Sequence, residues 1–177
     1  FAWFLTTPLI LVNLWGWTVL RAGGALAVGQ VVAGVSGLFG GRWADRRGST
    51  VPICASAVVS AIGLLWLVVA ASVQPDFWGV FVPACVIMGA GFGICGILTT
   101  GGALHGLPEH VLGAANSAHQ LLRRIAGLLG VVLALAIVGD QAGPAILDAA
   151  RRVWLMVAAA HLAMCVPLLL AARPGNE

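Results

Sequence analysis

Apolar residues run along this chain in six long segments, which short polar or Gly/Pro-rich stretches separate. The segments cover residues 1–17, 22–41, 52–72, 78–100, 113–138 and 153–172. The first is expected to be incomplete, and the others have roughly the 20 residues that a helix needs to cross a bilayer. Barrel strands would be about ten residues long with strict alternation, which is not seen. The pattern therefore predicts an all-α, polytopic transmembrane helix bundle, organised as a single domain over residues 1–177.

The composition agrees with lipid as the main solvent. Hydrophobic residues make up 60% of the chain and charged residues 8%, whereas a soluble domain has about 25% charged residues. The net charge of +3 comes from scattered arginines, which excludes a nucleic-acid-binding patch. The four cysteines form no CxxC pair, so neither a zinc site nor a disulfide framework is expected. No metal or cofactor is predicted.

The arginines also predict an orientation in the membrane. If six spans alternate, six Arg fall on one side and three on the other, and an excess of Arg marks cytoplasmic loops. We therefore expect a multi-pass protein of the cell (plasma) membrane, with the loop of residues 42–47 and the C-terminus in the cytoplasm. The larger group consists of Arg42, Arg46, Arg47, Arg123, Arg124 and Arg173, and the smaller one of Arg21, Arg151 and Arg152.

A polar stretch after the second segment carries the strongest local signal. It runs Gly41-Arg42-Trp43-Ala44-Asp45-Arg46-Arg47-Gly48. We expect a loop here, in which Gly41 lets a helix end approach a neighbour and Gly48 permits a tight turn. Asp45 can accept N–H bonds at a helix N-terminus, and the arginines can pair with it or with anionic lipid. A solvated, positively charged loop without further function explains the same residues.

The spacing of this stretch resembles the G-x-x-x-D-R-x-G loop motif of the major facilitator superfamily, which recurs in both halves of those transporters. Gly41, Asp45, Arg46 and Gly48 match it position by position. The resemblance implies that these four residues belong to a gating loop. Family members usually add two basic residues after the last Gly, whereas uncharged residues follow it here.

A second stretch strengthens the resemblance. Arg123-Arg124-Ile125-Ala126-Gly127-Leu128-Leu129-Gly130-Val131 looks like the R-Q-x-G-G-x-x-G-V run of the fourteen-helix drug:proton antiporter branch. The likeness implies the six-helix C-terminal half of a major-facilitator fold, in a fragment that lacks the N-terminal half. It also implies proton-coupled efflux of drug-like or amphipathic small molecules by alternating access. The expected partners are membrane lipid, a small-molecule substrate, protons and the other transporter half.

Arg123 lies inside an apolar segment, where a charge costs several kcal/mol unless it is paired or hydrated. Counted from Gly113, it lies about 15 Å along a helix. Either Arg123 faces a central cavity or gate, or it snorkels from a helix that starts later. Other polar residues that line a path or hydrogen-bond between helices are Gln30, Asn116, His119 and Gln120, with His161 equally ambiguous.

Glycine spacings indicate close helix packing, because small residues let helix backbones approach each other in a membrane. One run, residues 91–96, also fits G-x-G-x-x-G, but a dinucleotide site needs a preceding strand and a soluble βαβ unit. The glycines assigned to helix packing are Gly37, Gly89, Gly93, Gly127 and Gly130.

Two other classes of protein remain open on the sequence. A half-size membrane protein that dimerises, or one that transports nothing, fits the same hydropathy. An intramembrane serine protease would use Ser36 and His161, but it needs these side chains in contact and an oxyanion hole. Small-residue packing already explains Ser36, so we expect no enzymatic activity.

Overall fold

The computed structural model describes residues 2–141 and 143–171, which form an all-α bundle as predicted. Within these described ranges, five helices are long and apolar enough to cross a membrane. The tail from Arg173, which the orientation prediction used, lies outside the described residues. The helices are α1 (Ala2–Asn13), α2 (Val19–Arg47), α3 (Thr50–Ala70), α4 (Val82–Leu104), α5 (Glu109–Val138), α6 (Ala145–Ala163) and α7 (Cys165–Ala171), and a π-helical turn (Phe77–Phe81) leads directly into α4.

The centre of the bundle is the contact of α4 with α2 and α3. Small side chains and glycines dominate these faces, so the helix backbones come close together. On Gly63 of α3, an added Cβ would lie 2.8 Å from the backbone nitrogen of Met88. Ala84, whose carbonyl oxygen lies 3.1 Å from the same Cβ position, is completely buried.

Helix α5 lies at the edge of this bundle. Among its described side chains, only those of Ala134 and Val138 are buried, and both lie close to its C-terminal end. These two residues pack with Ala2 of α1 and Ile146 of α6. Most of α5 is therefore exposed, including both arginines of the Arg123–Arg124 pair.

The loop predicted over residues 42–47 is wrong, because these residues are helical. Helix α2 continues to Arg47, and Gly48 and Ser49 alone separate it from α3. Hydropathy marks where a helix leaves hydrocarbon, but the polar residues beyond that point still form helical hydrogen bonds. Gly48, at φ 75°, ends the helix, because L side chains rarely adopt this backbone conformation.

The last predicted segment, residues 153–172, is also placed incorrectly. Helix α6 begins at Ala145, where Pro144 precedes it, and ends at Ala163. The short helix α7 then continues from Cys165. Pro167 has no N–H to donate to the carbonyl of Ala163, so the proline accounts for the break.

One end of the bundle is tied together by side-chain hydrogen bonds to loop carbonyls. Arg151 Nη2 of α6 donates to the carbonyl oxygen of Ala71 at 2.7 Å, and Arg151 Nη1 pairs with Asp148 at 3.1 Å. Trp15 Nε1 donates to the carbonyl oxygen of Ser72 at 3.1 Å. These bonds join α6 and the α1–α2 connection to the segment that follows α3.

Candidate functional site

A cleft of about 440 Å³ opens between five of the helices, α1, α2, α4, α5 and α6. Most of its walls are apolar, aromatic or glycine backbone, with a few polar groups among them. This is the usual character of a small-molecule site, in which apolar surface binds and a few polar groups orient the ligand. The lining residues are Trp3, Phe4, Gly29, Gln30, Ala33, Met88, Gly89, Phe92, Cys95, Gly96, Thr99, Arg123, Val157 and His161.

Close packing of α4 on α2 forms one wall of the cleft. A Cβ on Gly89 would lie 2.5 Å from the carbonyl oxygen of Gly29, and one on Gly93 would collide with the Ala33 carbonyl. Gly37 faces Ile97 in the same interface. The two helices can therefore approach this closely only because α4 carries glycine at these positions.

The other glycines of the packing prediction lie elsewhere. Gly130 is in ordinary van der Waals range of Ala2, whose Cβ is 4.0 Å from a Cβ built on the glycine. Gly127 lines a shallow surface groove with Arg124 and Val131.

Arg123 reaches the cleft from α5. Helix α5 begins at Glu109, earlier than the sequence indicated, so Arg123 lies about 21 Å along it rather than about 15 Å. The alternative that Arg123 snorkels from a helix that starts later is therefore excluded. Side chains lean toward the N-terminal end of their helix. Arg123 Nη1 lies 3.5 Å from Thr100 Oγ1 of α4, at the limit of a hydrogen bond.

His161 enters the cleft from α6. Its ring lies over Phe92 of α4, with ring centroids 4.8 Å apart. Its Nδ1 is 2.9 Å from the carbonyl oxygen of Val157. A carbonyl can only accept, so Nδ1 carries the proton, and Nε2 of the neutral ring is left as an acceptor.

Three of the polar residues predicted for a path through the spans do not line this cleft. Asn116 and Gln120 are exposed on α5. His119 is partly buried, and its Nε2 has no hydrogen-bond partner among the described residues. Gln30 does line the cleft, on α2.

The proposed gating-loop residues lie at the opposite end of α2 from its start at Val19. Asp45 is in the last turn of α2, not at a helix N-terminus, so it does not cap a helix as expected. There the helix dipole disfavours an acid. Among the described residues, no atom lies within 4 Å of an ideal Cβ on Gly41, so Gly41 makes no close approach within this bundle.

The sequence analysis missed most of the aromatic and sulfur-containing lining. Met88, Phe92, Cys95 and Thr99 recur along one face of α4 with helical spacing. That spacing was visible in the sequence, but α4 is apolar on all sides. Nothing in the pattern therefore distinguished a face toward a cleft from a face toward lipid.

A family model identifies the family to which this helix bundle belongs. The model described as Major Facilitator Superfamily matches residues 1–131, well over half of the chain. The chain belongs to the Major Facilitator Superfamily. It is therefore a multi-pass membrane protein of a transporter family that acts on small molecules, and the prediction that it is not an enzyme is confirmed. No curated protein and no solved structure matches the chain significantly.

The serine-protease alternative is also disfavoured by local geometry. Ser36 Oγ donates to the carbonyl oxygen of Ala33 at 3.1 Å, within its own helix. His161 Nδ1 is engaged by Val157. Neither side chain hydrogen-bonds the other, so there is no nucleophile–base pair.

Proposed function

We propose that this superfamily member is the C-terminal half of an exporter that moves drug-like or amphipathic compounds out of the cell in exchange for protons. The observation that carries the proposal is the cleft between α1, α2, α4, α5 and α6. A volume of about 440 Å³ is within the roughly 300–1,000 Å³ of sites that hold drug-sized ligands. The proposed site thus has room for a drug-sized ligand, mostly apolar walls and one charged side chain.

The exposed side of α5 supports a second half beside this one. Asn116, Gln120 and Arg124 all lie on exposed positions of a helix long enough to cross a membrane. Polar side chains are costly where they face hydrocarbon. In membrane proteins they therefore face a bundle interior or a water-filled cavity. We propose that the other transporter half covers this side of α5, with the substrate between the halves.

The Asp45–Gly48 corner would act in gating in this scheme. Asp45 has no ion-pair or hydrogen-bond partner among the side chains that the structure describes. Its position in the last turn of α2 leaves the carboxylate free for a donor from the other half. Rocking of the halves would then make and break that contact.

An efflux assay with the whole protein tests the proposed function. A bacterial host without its own major exporters is loaded with a panel of amphipathic dyes, cationic, neutral and anionic, and dye retention is followed by fluorescence. We expect the protein to lower retention of at least one dye, and a protonophore to remove the effect. Equal retention of every dye with and without the protein would contradict export.

A further inference from the structure

We propose that the cleft selects compounds with a negatively charged group on an aromatic or apolar body, and that Arg123 binds this group. The inference rests on the proposed function and names the substrate class for the same site. Three features of the cleft support it: its charge, its free hydrogen-bond donors and its walls.

The charge of the cleft is positive. Of the described residues that line it, Arg123 alone carries a fixed charge, and none is acidic. A guanidinium stays protonated even where it is desolvated. An organic cation would therefore meet repulsion and find no carboxylate here. The described acids lie in helix-end or loop positions away from the lining, namely Asp45, Asp76, Glu109, Asp140 and Asp148.

The Arg123 guanidinium has donors to spare. Thr100 Oγ1 already donates its proton to the carbonyl oxygen of Gly96 at 3.0 Å. It can therefore accept from Arg123 Nη1, which lies 3.5 Å away. No other hydrogen bond of Arg123 is formed among the described residues, and a guanidinium has five N–H donors. The remaining donors suit a carboxylate, sulfonate or phosphate, which a guanidinium can bind with two parallel hydrogen bonds.

The energetic argument also favours an anion. A charge inside a membrane span is costly unless a partner or water compensates it. The weak contact with neutral Thr100 does not neutralise Arg123. A bound anion would do so.

The walls fit the body of such a compound. Trp3 and Phe4 of α1 and Met88 and Phe92 of α4 provide aromatic and thioether surface. Planar rings and methionine side chains pack well on aromatic ligands. His161, held over Phe92, presents Nε2 as an acceptor for a hydroxyl or amide N–H of the ligand.

Three probes with one ring system separate charge from shape: 2-naphthoate, 2-naphthamide and 2-naphthylmethylammonium. Their binding to the whole protein in lipid nanodiscs is measured by equilibrium dialysis, with empty nanodiscs as the blank. We expect naphthoate to bind about tenfold more tightly than naphthamide, because a hydrogen bond to a charged group is worth at least that factor. The ammonium should bind most weakly.

Variants at Arg123, compared with a variant that removes the charge of another arginine, show whether Arg123 causes the preference for naphthoate. Arg123→Gln should remove the advantage of naphthoate, whereas Arg123→Lys should keep part of it. Arg152→Gln is the matched control, because Arg152 is exposed on α6 and does not line the cleft. It should keep the preference of the native protein.

Several results would overturn the inference. Tighter binding of the ammonium would show a cation site and leave the exporter proposal intact if dye efflux is also seen. A loss of all three affinities to the same extent in Arg123→Gln would make Arg123 a gate or structural residue. Absence of binding for all three probes would also overturn it, and the efflux assay would then decide separately whether the protein exports anything.

Discussion

The carbonyl oxygen of Gly29 in α2 lies 2.5 Å from the position that a Cβ on Gly89 of α4 would occupy. No real side chain fits at that distance. The two helices are thus in backbone contact at a point that also lines the cleft. The shape of the cleft depends on this contact, because any spreading of α2 from α4 would change its width.

Gly89→Ala should destabilise the protein. The added methyl group meets backbone, which cannot rotate away, and overpacking of this kind typically costs about 1–3 kcal/mol. Gly101→Ala is the matched control on the same helix, because its Cβ would have open space around it. We expect a lower midpoint of thermal unfolding in detergent for Gly89→Ala and an unchanged or slightly higher one for Gly101→Ala. Equal midpoints would show that the helices are not in backbone contact.

Arg151→Ala should also lower stability, by about 1–2 kcal/mol, because it removes a charged donor from the carbonyl oxygen of Ala71. Asp148→Asn should cost less than about 1 kcal/mol, since exposed ion pairs contribute little and the Asp148 side chain is 69% exposed. Unfolding midpoints of the two variants in the same detergent check the order. A larger effect for Asp148→Asn would mean that the ion pair, not the carbonyl contact, holds this end of the bundle.

Cys95 should react with a small anionic methanethiosulfonate, and Cys85 should not. Cys95 lines the cleft and is 8% exposed, whereas Cys85 is 0% exposed in the core. The measurement is intact mass over time, on two forms of the protein that each retain one of these cysteines and carry Ser at the other three. Naphthoate should slow the labelling of Cys95 if it occupies the cleft. Faster labelling of Cys85 would contradict the placement of the cleft.

Cysteines introduced at Ser49 and Asp76 test the orientation that the arginine distribution predicts. The two positions lie just outside opposite ends of α3, so they should face opposite sides of the membrane. In a cysteine-free background, an impermeant maleimide should label position 76 in intact cells and position 49 only after permeabilisation. The reverse pattern would place residues 42–47 outside the cell.

The sequence predicted the helices well and the cleft poorly, for a physical reason. Membrane spans follow from hydropathy alone, so α3 and α4 were found within a few residues of their ends. Helix ends beyond the hydrocarbon depend on local stops such as Gly48, which a hydropathy pattern does not register. That is why α2 was cut short at residue 41.

Some of the polar residues predicted for the site line the cleft and others do not. Arg123 and Gln30 were found because a polar group in a span is unusual, and both line the cleft. Asn116 and Gln120 are equally unusual, yet they are exposed on α5 and do not line the cleft. Which polar residues share one space depends on how α5 is rotated against α4, and helix rotation is set by packing that the sequence pattern does not show.

The most direct test of the account is a proton-flux measurement on everted membrane vesicles that contain the whole protein. The vesicles are acidified inside with ATP, and a pH-sensitive dye reports whether an added dye or naphthalene probe discharges the gradient. We predict that naphthoate discharges it in vesicles with the native protein and with Arg152→Gln, but much less with Arg123→Gln and not in vesicles without the protein. A gradient that no compound discharges, or that all four vesicle preparations lose equally, would contradict proton-coupled export through this cleft.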